Sequence, residues 1–294
     1  MKAIFNTFII KAISLFPSFI IWQIAKRYVA GKNKNDALSI VKDLNRKGYS
    51  VTLDILGEHT KSKDESIEIT NQYIDLLKEI YHLNLDCNIS IKPSHIGSDI
   101  DKKYINTNIQ DLLNNAIKYD NFIRIDMEDS TLTDRTLNLY RKFNKNHPNI
   151  GIVLQSYLFR TTDDLLKLAD ESNMLNFRLC KGIYKENVDI SWQDKNDISD
   201  NFVQLMKMAF ENNIYIGIAT HDNDLIEKAY DLIASLQVPK NKFEFQVLYG
   251  VPMSGWLTTH LQNNYKVRIY VPFGENWYDY SIRRLKENPD IAVY

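Results

Sequence analysis

The chain has 294 residues, 44% hydrophobic and 12% aromatic, enough to bury one large core. Its 36 Lys and Arg against 37 Asp and Glu leave a net charge of −1, which gives no basic surface for nucleic acid and no acidic disordered tail. Cys87 and Cys180 lie far apart with no metal-type spacing; a disulfide framework is not expected, and a reducing, cytoplasmic compartment fits better.

The first apolar stretch, Phe8–Trp22, is interrupted by Lys11 and Pro17. It is too broken for a spanning helix, and no small-residue cleavage site follows it. It is expected to form short helices capping one end of the fold. The alternative is peripheral contact with a membrane surface through Phe16, Phe19, Ile20 and Trp22. Lys32–Asp36 (KNKND) is a polar joint, so an N-terminal helical segment over 1–34 is expected to precede one domain over 35–294.

Within that domain, β-rich runs recur at intervals of roughly 25 to 40 residues. They are Ser50–Leu53, Asn88–Ile91, Phe122–Ile125, Ile150–Leu154, Asn176–Leu179, Ile214–Ala219, Phe243–Leu248 and Lys266–Tyr270. Most lean on Ile, Val, Leu and Phe, as strands buried on both faces do. Between them, Asp64–Tyr81, Thr133–Asn144, Thr162–Ser172 and Asn223–Leu236 carry apolar residues at helical spacing. Thr161–Asp164 and Asp222–Asp224 resemble helix N-caps. Strand and helix in alternation predict an α/β fold, a single (β/α)8 TIM-like barrel. A doubly wound sheet is disfavoured, because no Gly-x-Gly-x-x-Gly follows any strand.

In such a barrel the residues at the C-terminal ends of the strands line the active face. In chain order they are Asp54 and Glu58, Lys92, Asp126-Met127-Glu128, Gln155, Arg178 with Lys181-Gly182, Thr220-His221, Gln246 with Leu248, and Tyr270. So many polar groups at one rim point to a site. In the last helix, Tyr280, Arg283, Arg284 and Glu287 follow i, i+3, i+4, i+7 and share one face. That face is either solvated, with an Arg283–Glu287 pair, or it presents two guanidinium forks to a carboxylate.

Tyr280-x-x-Arg283-Arg284-x-x-Glu287 also resembles the YxxRRxxE signature of the proline dehydrogenases. Leu53–Glu58, Ser90–Lys92, Ile125–Glu128 and Gln155–Tyr157 resemble the family's first four strand segments. Arg178–Tyr184 is similar to its RLxKGxY, and Ala219–His221, Phe243–Gly250 and Arg268–Gly274 fall in order after it. The chain is most similar to the short, monofunctional bacterial enzymes. Two departures stand out: Cys180 replaces a small aliphatic residue, and the Tyr270–Tyr280 loop is short.

The resemblance implies a distorted barrel with the last helix over its mouth, binding FAD and oxidising L-proline to Δ1-pyrroline-5-carboxylate, with electrons passed to a membrane quinone. It implies that Lys92, Arg283 and Arg284 hold the proline carboxylate, and that Glu58 closes over it by pairing with Arg283. Glu287 would orient the arginines. Tyr270, Tyr280 and Leu248 would wall the pocket. Arg178 would lie at the flavin N5 edge, with Asp126 orienting Arg178 or Lys92. Met127 would pack on the ring and Gln155 would bond its pyrimidine edge. Lys181, Gly182 and Ile183 would follow the ribityl and pyrophosphate portion, and Thr220 and His221 the adenosine. Three rivals remain on residues alone: a Schiff base on Lys92 or Lys181, a divalent metal on Asp54, Asp126, Glu128 and His221, and a non-catalytic amino-acid binder.

Overall fold

A computed structural model describes residues 17–172 and 174–287, with the side chains of 285–287 outside that description. Its strands are β1 Ser50–Ile55, β2 Cys87–Ile91, β3 Ile123–Ile125, β4 Ile150–Gln155, β5 Asn176–Cys180, β6 Tyr215–Ala219, β7 Phe243–Leu248 and β8 Val267–Phe273. Each pairs in parallel with the next, and β8 pairs with β1, closing a barrel. The helices are α1 Ser18–Ala25, α2 Lys34–Arg46, α3 Lys63–His82, α4 Lys102–Lys118, α5 Thr133–Asn144, α6 Thr161–Glu171, α7 Lys195–Glu211, α8 Asn223–Ser235, α9 Trp256–Gln262 and α10 Trp277–Glu287. The predicted barrel is present.

Two of the strands, β1 and β8, run two and three residues further than their apolar runs suggest. β1 continues through Asp54 to Ile55, opposite Pro272 and Phe273 of β8. Proline reads as a strand breaker because it cannot donate to a ladder. Here the Pro272 carbonyl instead accepts from Ala30 N at 2.9 Å. Asp54 therefore projects from a strand and not from the loop beyond it.

Asn33, Ser62, Asp101, Asp194 and Asp222 cap α2, α3, α4, α7 and α8 through their side chains. The expected cap at Thr161–Asp164 is absent. α6 begins at Thr161 with Arg160 in the cap position, a side chain that only donates and so cannot cap, while the Thr161 hydroxyl donates to the Gln155 carbonyl at 2.6 Å.

The strands do not bury two apolar faces. Val51, Leu53, Ile89, Ile91 and Phe177 join the hydrophobic core, whereas the alternate residues bond one another across the barrel. Arg124 on β3 donates to the Asn176 side chain on β5 at 2.6 Å. Arg268 on β8 donates to Glu244 on β7 at 2.7 Å and to Asn88 on β2 at 3.1 Å. Gly151 makes room for this polar interior: a Cβ there would lie 2.4 Å from Arg124 Nη1. Glycine inside a strand marks such close approach.

A second, smaller core joins α1 to α10 through Ile21, Ala25, Tyr28, Val29, Leu56 and Trp277. The Trp22 ring meets Trp277 edge-on at 4.8 Å, and Lys32 lies over both rings, 5.0 and 5.2 Å from their centroids. Trp22 is thus turned inward. Phe19 and Ile20 are exposed, and Phe16 lies outside the described residues. Among the described residues no helix is long and apolar enough to cross a membrane.

Candidate active site

The C-terminal ends of the strands open into a cavity of about 820 Å³, roofed by α10. Of the residues proposed from the sequence, all line it except Glu128, whose buried carboxylate instead accepts from Ser94 N at 3.0 Å, and Glu287, whose side chain lies outside the described residues.

Beneath the roof, Lys92 follows directly on β2 and donates to Asp54 Oδ2 at 2.7 Å. Both side chains are almost fully buried. Burial opposes the ammonium charge, but Asp54, Asp126 and Glu58 more than offset it, and the Lys92 pKa stands above its ordinary value. Schiff-base chemistry needs a lysine with a depressed pKa, so Lys92 does not suit it. Sequence reasoning placed Asp54 in the rim and offered it only as a metal ligand, not as the partner of Lys92. Its signal was its strand position, one cross-strand neighbour from Ser90.

Asp126 orients Arg178, not Lys92. Its Oδ1 accepts from Arg178 Nη1 at 2.6 Å and from Ser90 Oγ at 2.6 Å, and its Oδ2 accepts from the Tyr270 hydroxyl at 2.8 Å. The Arg178 guanidinium also lies 5.0 Å over the Tyr270 ring, a cation–π contact. Its Nε donates to Gln246 Oε1 at 2.5 Å, a partner the sequence reading did not assign.

Above them, Arg283 grips Glu58 with both arms, at 2.9 and 3.1 Å. Arg284 lies beside Tyr280, its Nε donating to the phenol oxygen at 3.2 Å. Of the two readings of the shared face, solvated or turned inward, Tyr280, Arg283 and Arg284 take the inward one and line the cavity. Tyr184, quoted in the sequence only as part of a motif, also lines it.

Two observations on the cavity floor describe what it can hold. Gln155 Oε1 is buried with no partner, while its Nε2 donates to the Glu128 carbonyl at 3.3 Å. A buried acceptor without a donor costs free energy until something supplies one. Further along, Gly182 has φ +105°, and a Cβ there would lie 2.3 Å from the Tyr157 ring. The chain turns past the cavity there as only glycine allows.

At the far end Lys181 pairs with Asp222 at 2.6 Å. His221 Nε2 accepts from Leu248 N at 2.9 Å, which commits that lone pair and leaves it unavailable to a metal. Burial, with Arg284 nearby, lowers the His221 pKa to about 4, so the ring is neutral near pH 7. No group of three His, Cys, Asp or Glu among the described residues is arranged to hold a metal ion. Cys180 borders the cavity, but burial raises its pKa to about 11 and keeps it a thiol.

A family described as proline dehydrogenase matches residues 37–293. Proline dehydrogenase 1 of Bacillus subtilis strain 168 is 34% identical over 270 residues, covering 92% of this chain and 88% of that protein. Proline dehydrogenase of Deinococcus radiodurans is 34% identical over 281 residues, covering 93% and 89%. Among solved structures, proline utilization A (PutA) from Bdellovibrio bacteriovorus, inactivated by N-propargylglycine, superposes with a TM-score of 0.85 at 24% identity, over 91% of this chain. The chain spans 33% of that protein's length, so this likeness speaks for the fold.

Proposed function

The chain belongs to the proline dehydrogenase family, and from that premise we propose that it oxidises L-proline to Δ1-pyrroline-5-carboxylate with FAD lying along the cavity. The observation that carries this is the juxtaposition of three cations, Lys92, Arg283 and Arg284, over a floor formed by Arg178 and Gln155 in one cavity. Cavities of this size suit a cofactor and a small substrate together.

FAD, when bound, supplies the hydride acceptor. The Gln155 carbonyl oxygen, buried without a partner, fits the N–H of a flavin pyrimidine ring. Met127 packs beside it. Arg178 offers a fixed positive charge where negative charge develops on reduction, and Asp126 fixes its orientation. Lys181, Gly182 and Ile183 follow the phosphate portion, and Thr220 and His221 follow the adenosine.

Lys92, Arg283 and Arg284 bind the proline carboxylate. Lys92 is held protonated, so it contributes charge and not basicity. Tyr270, Tyr280 and Leu248 wall the ring and exclude water. Glu58 closes the mouth through Arg283 and shields the carboxylate from solvent. Electrons leave to a membrane quinone, with Phe19 and Ile20 of α1, both exposed, touching the surface of the bilayer from the cytoplasmic side.

Purified protein is expected to be yellow, and L-proline is expected to bleach the flavin band in the absence of oxygen. Colourless protein that cannot be reconstituted with FAD rejects this function.

A further inference from the structure

Beneath Arg178 runs a chain of buried hydrogen bonds that neither the carboxylate clamp nor the cavity walls require. Arg178 Nε donates to Gln246 Oε1 at 2.5 Å. Gln246 Nε2 donates to Glu244 Oε1 at 2.6 Å. Arg268 Nε donates to the same Glu244 oxygen at 2.7 Å, and the other Glu244 oxygen faces Lys266 at 3.7 Å. Gln246 and Glu244 are 3% and 2% exposed, so water does not compete for these bonds.

The order of atoms in this chain is dictated by chemistry. An amide can face a neighbour with either its donor or its acceptor end. A guanidinium only donates, and an ionised carboxylate only accepts. Burial opposes the charge on Glu244, but Arg268, Lys266 and Arg124 outweigh it and hold its pKa near about 2. Gln246 sits between a pure acceptor and a pure donor, so one orientation satisfies both ends and the reverse satisfies neither. Gly217 on β6 leaves the space: a Cβ there would lie 2.4 Å from Gln246 Nε2.

We propose that Glu244 is a positioning residue for Arg178, acting through the Gln246 amide, and that it thereby sets how strongly the site favours reduced over oxidised flavin. This rests on the FAD function above. Asp126 holds one arm of Arg178 and Gln246 holds the other. A charge lodged below the cavity is thereby coupled to a guanidinium inside it, with no contact of its own to substrate or cofactor.

The test is a double-mutant cycle on the full-length holoenzyme. Glu244→Gln removes the pure acceptor and lets the Gln246 amide turn over. Gln246→Met breaks the relay while leaving the Arg268–Glu244 pair intact, which covers the case in which Glu244→Gln does not fold. Gln246→Met is expected to lower the flavin's preference for its reduced form about ten-fold, read as a fall of about 30 mV in the two-electron midpoint potential; Glu244→Gln is expected to give a smaller fall, because losing the carboxylate charge itself favours the reduced form. In the double variant the effects are expected not to add. An unchanged potential in folded Gln246→Met protein, or additive shifts, overturns the relay.

The Arg178 Nε–H signal in nuclear magnetic resonance reads the same bond without cofactor. It should move in both variants, and a signal that stays fixed also overturns the relay. Wild-type protein that binds no FAD rejects the function above, while this signal still decides the relay.

Discussion

Glu58 and Arg283, 225 residues apart, form a two-pronged ion pair that ties the loop after β1 to α10. Arg283 is nearly half exposed, so the pair adds only about 0–1 kcal/mol to stability. Its effect falls on closure. Glu58→Gln is expected to leave the melting temperature almost unchanged while raising KM for proline several-fold, with a smaller change in kcat. A variant that melts early but keeps the wild-type KM shows a structural tether instead.

Arg284→Met should weaken proline binding and leave FAD in place. Hydrogen bonds to charged groups contribute about 1.5–3 kcal/mol, so KM should rise roughly ten- to a hundred-fold. Steady-state kinetics beside the flavin content of the purified variant separates the two effects. An unchanged KM removes Arg284 from the clamp.

Gln155→Ala deletes the buried oxygen that lacks a partner. If that oxygen accepts from the flavin, the FAD dissociation constant should rise about five-fold or more, the worth of one net hydrogen bond of roughly 1 kcal/mol. Titration of apoprotein with FAD measures it. Equal affinity means the amide serves only the Glu128 carbonyl.

Three buried histidines make stability depend on pH: His221, held to about 4 as described above, and two more. Burial lowers His95 to about 3, with Lys92 adding to the effect, and lowers His260 to about 4. Unfolded, each takes up its proton near about pH 6.5. Below that value the unfolded chain binds more protons than the folded one. Stability is therefore complete above this point and is lost as pH falls toward the folded values. Between about pH 7.5 and about pH 5 the loss should be roughly 2 kcal/mol per histidine. Denaturant unfolding at the two values measures it. His260→Phe keeps a ring against Phe245, now stacked at 3.9 Å, and should remove about a third of the slope; an unchanged slope rejects this account.

The barrel was legible because each strand's outward residues are apolar, mostly aliphatic or phenylalanine, and each helix repeats at its own period. The site was legible because polar residues recur at the same end of successive strands, and because Arg283 and Arg284 share a helical face. What the sequence hid were partnerships. Asp126 could serve Lys92 or Arg178, and only the closed barrel shows Lys92 taken by Asp54 and Arg178 by Asp126. Glu244 and Gln246 stand in a run, FEFQVL, that looks like an ordinary buried strand. Their inward alternation gains meaning once β5 and β8 bring Arg178 and Arg268 against them. Trp22 likewise looked like a surface anchor, because its partner Trp277 lies so far along the chain.

The contact between α1 and α10 ties the helix that carries Arg283 and Arg284 to a part of the chain that does not line the cavity. The arginine-bearing roof is seated on Ile21, Ala25 and Tyr28, so whatever tugs on α1 tugs on the clamp. On the function proposed above, a bilayer that drew the exposed Phe19 and Ile20 into its headgroups would pull on the helix that carries the clamp, so that grip on the amino acid would report docking at the membrane.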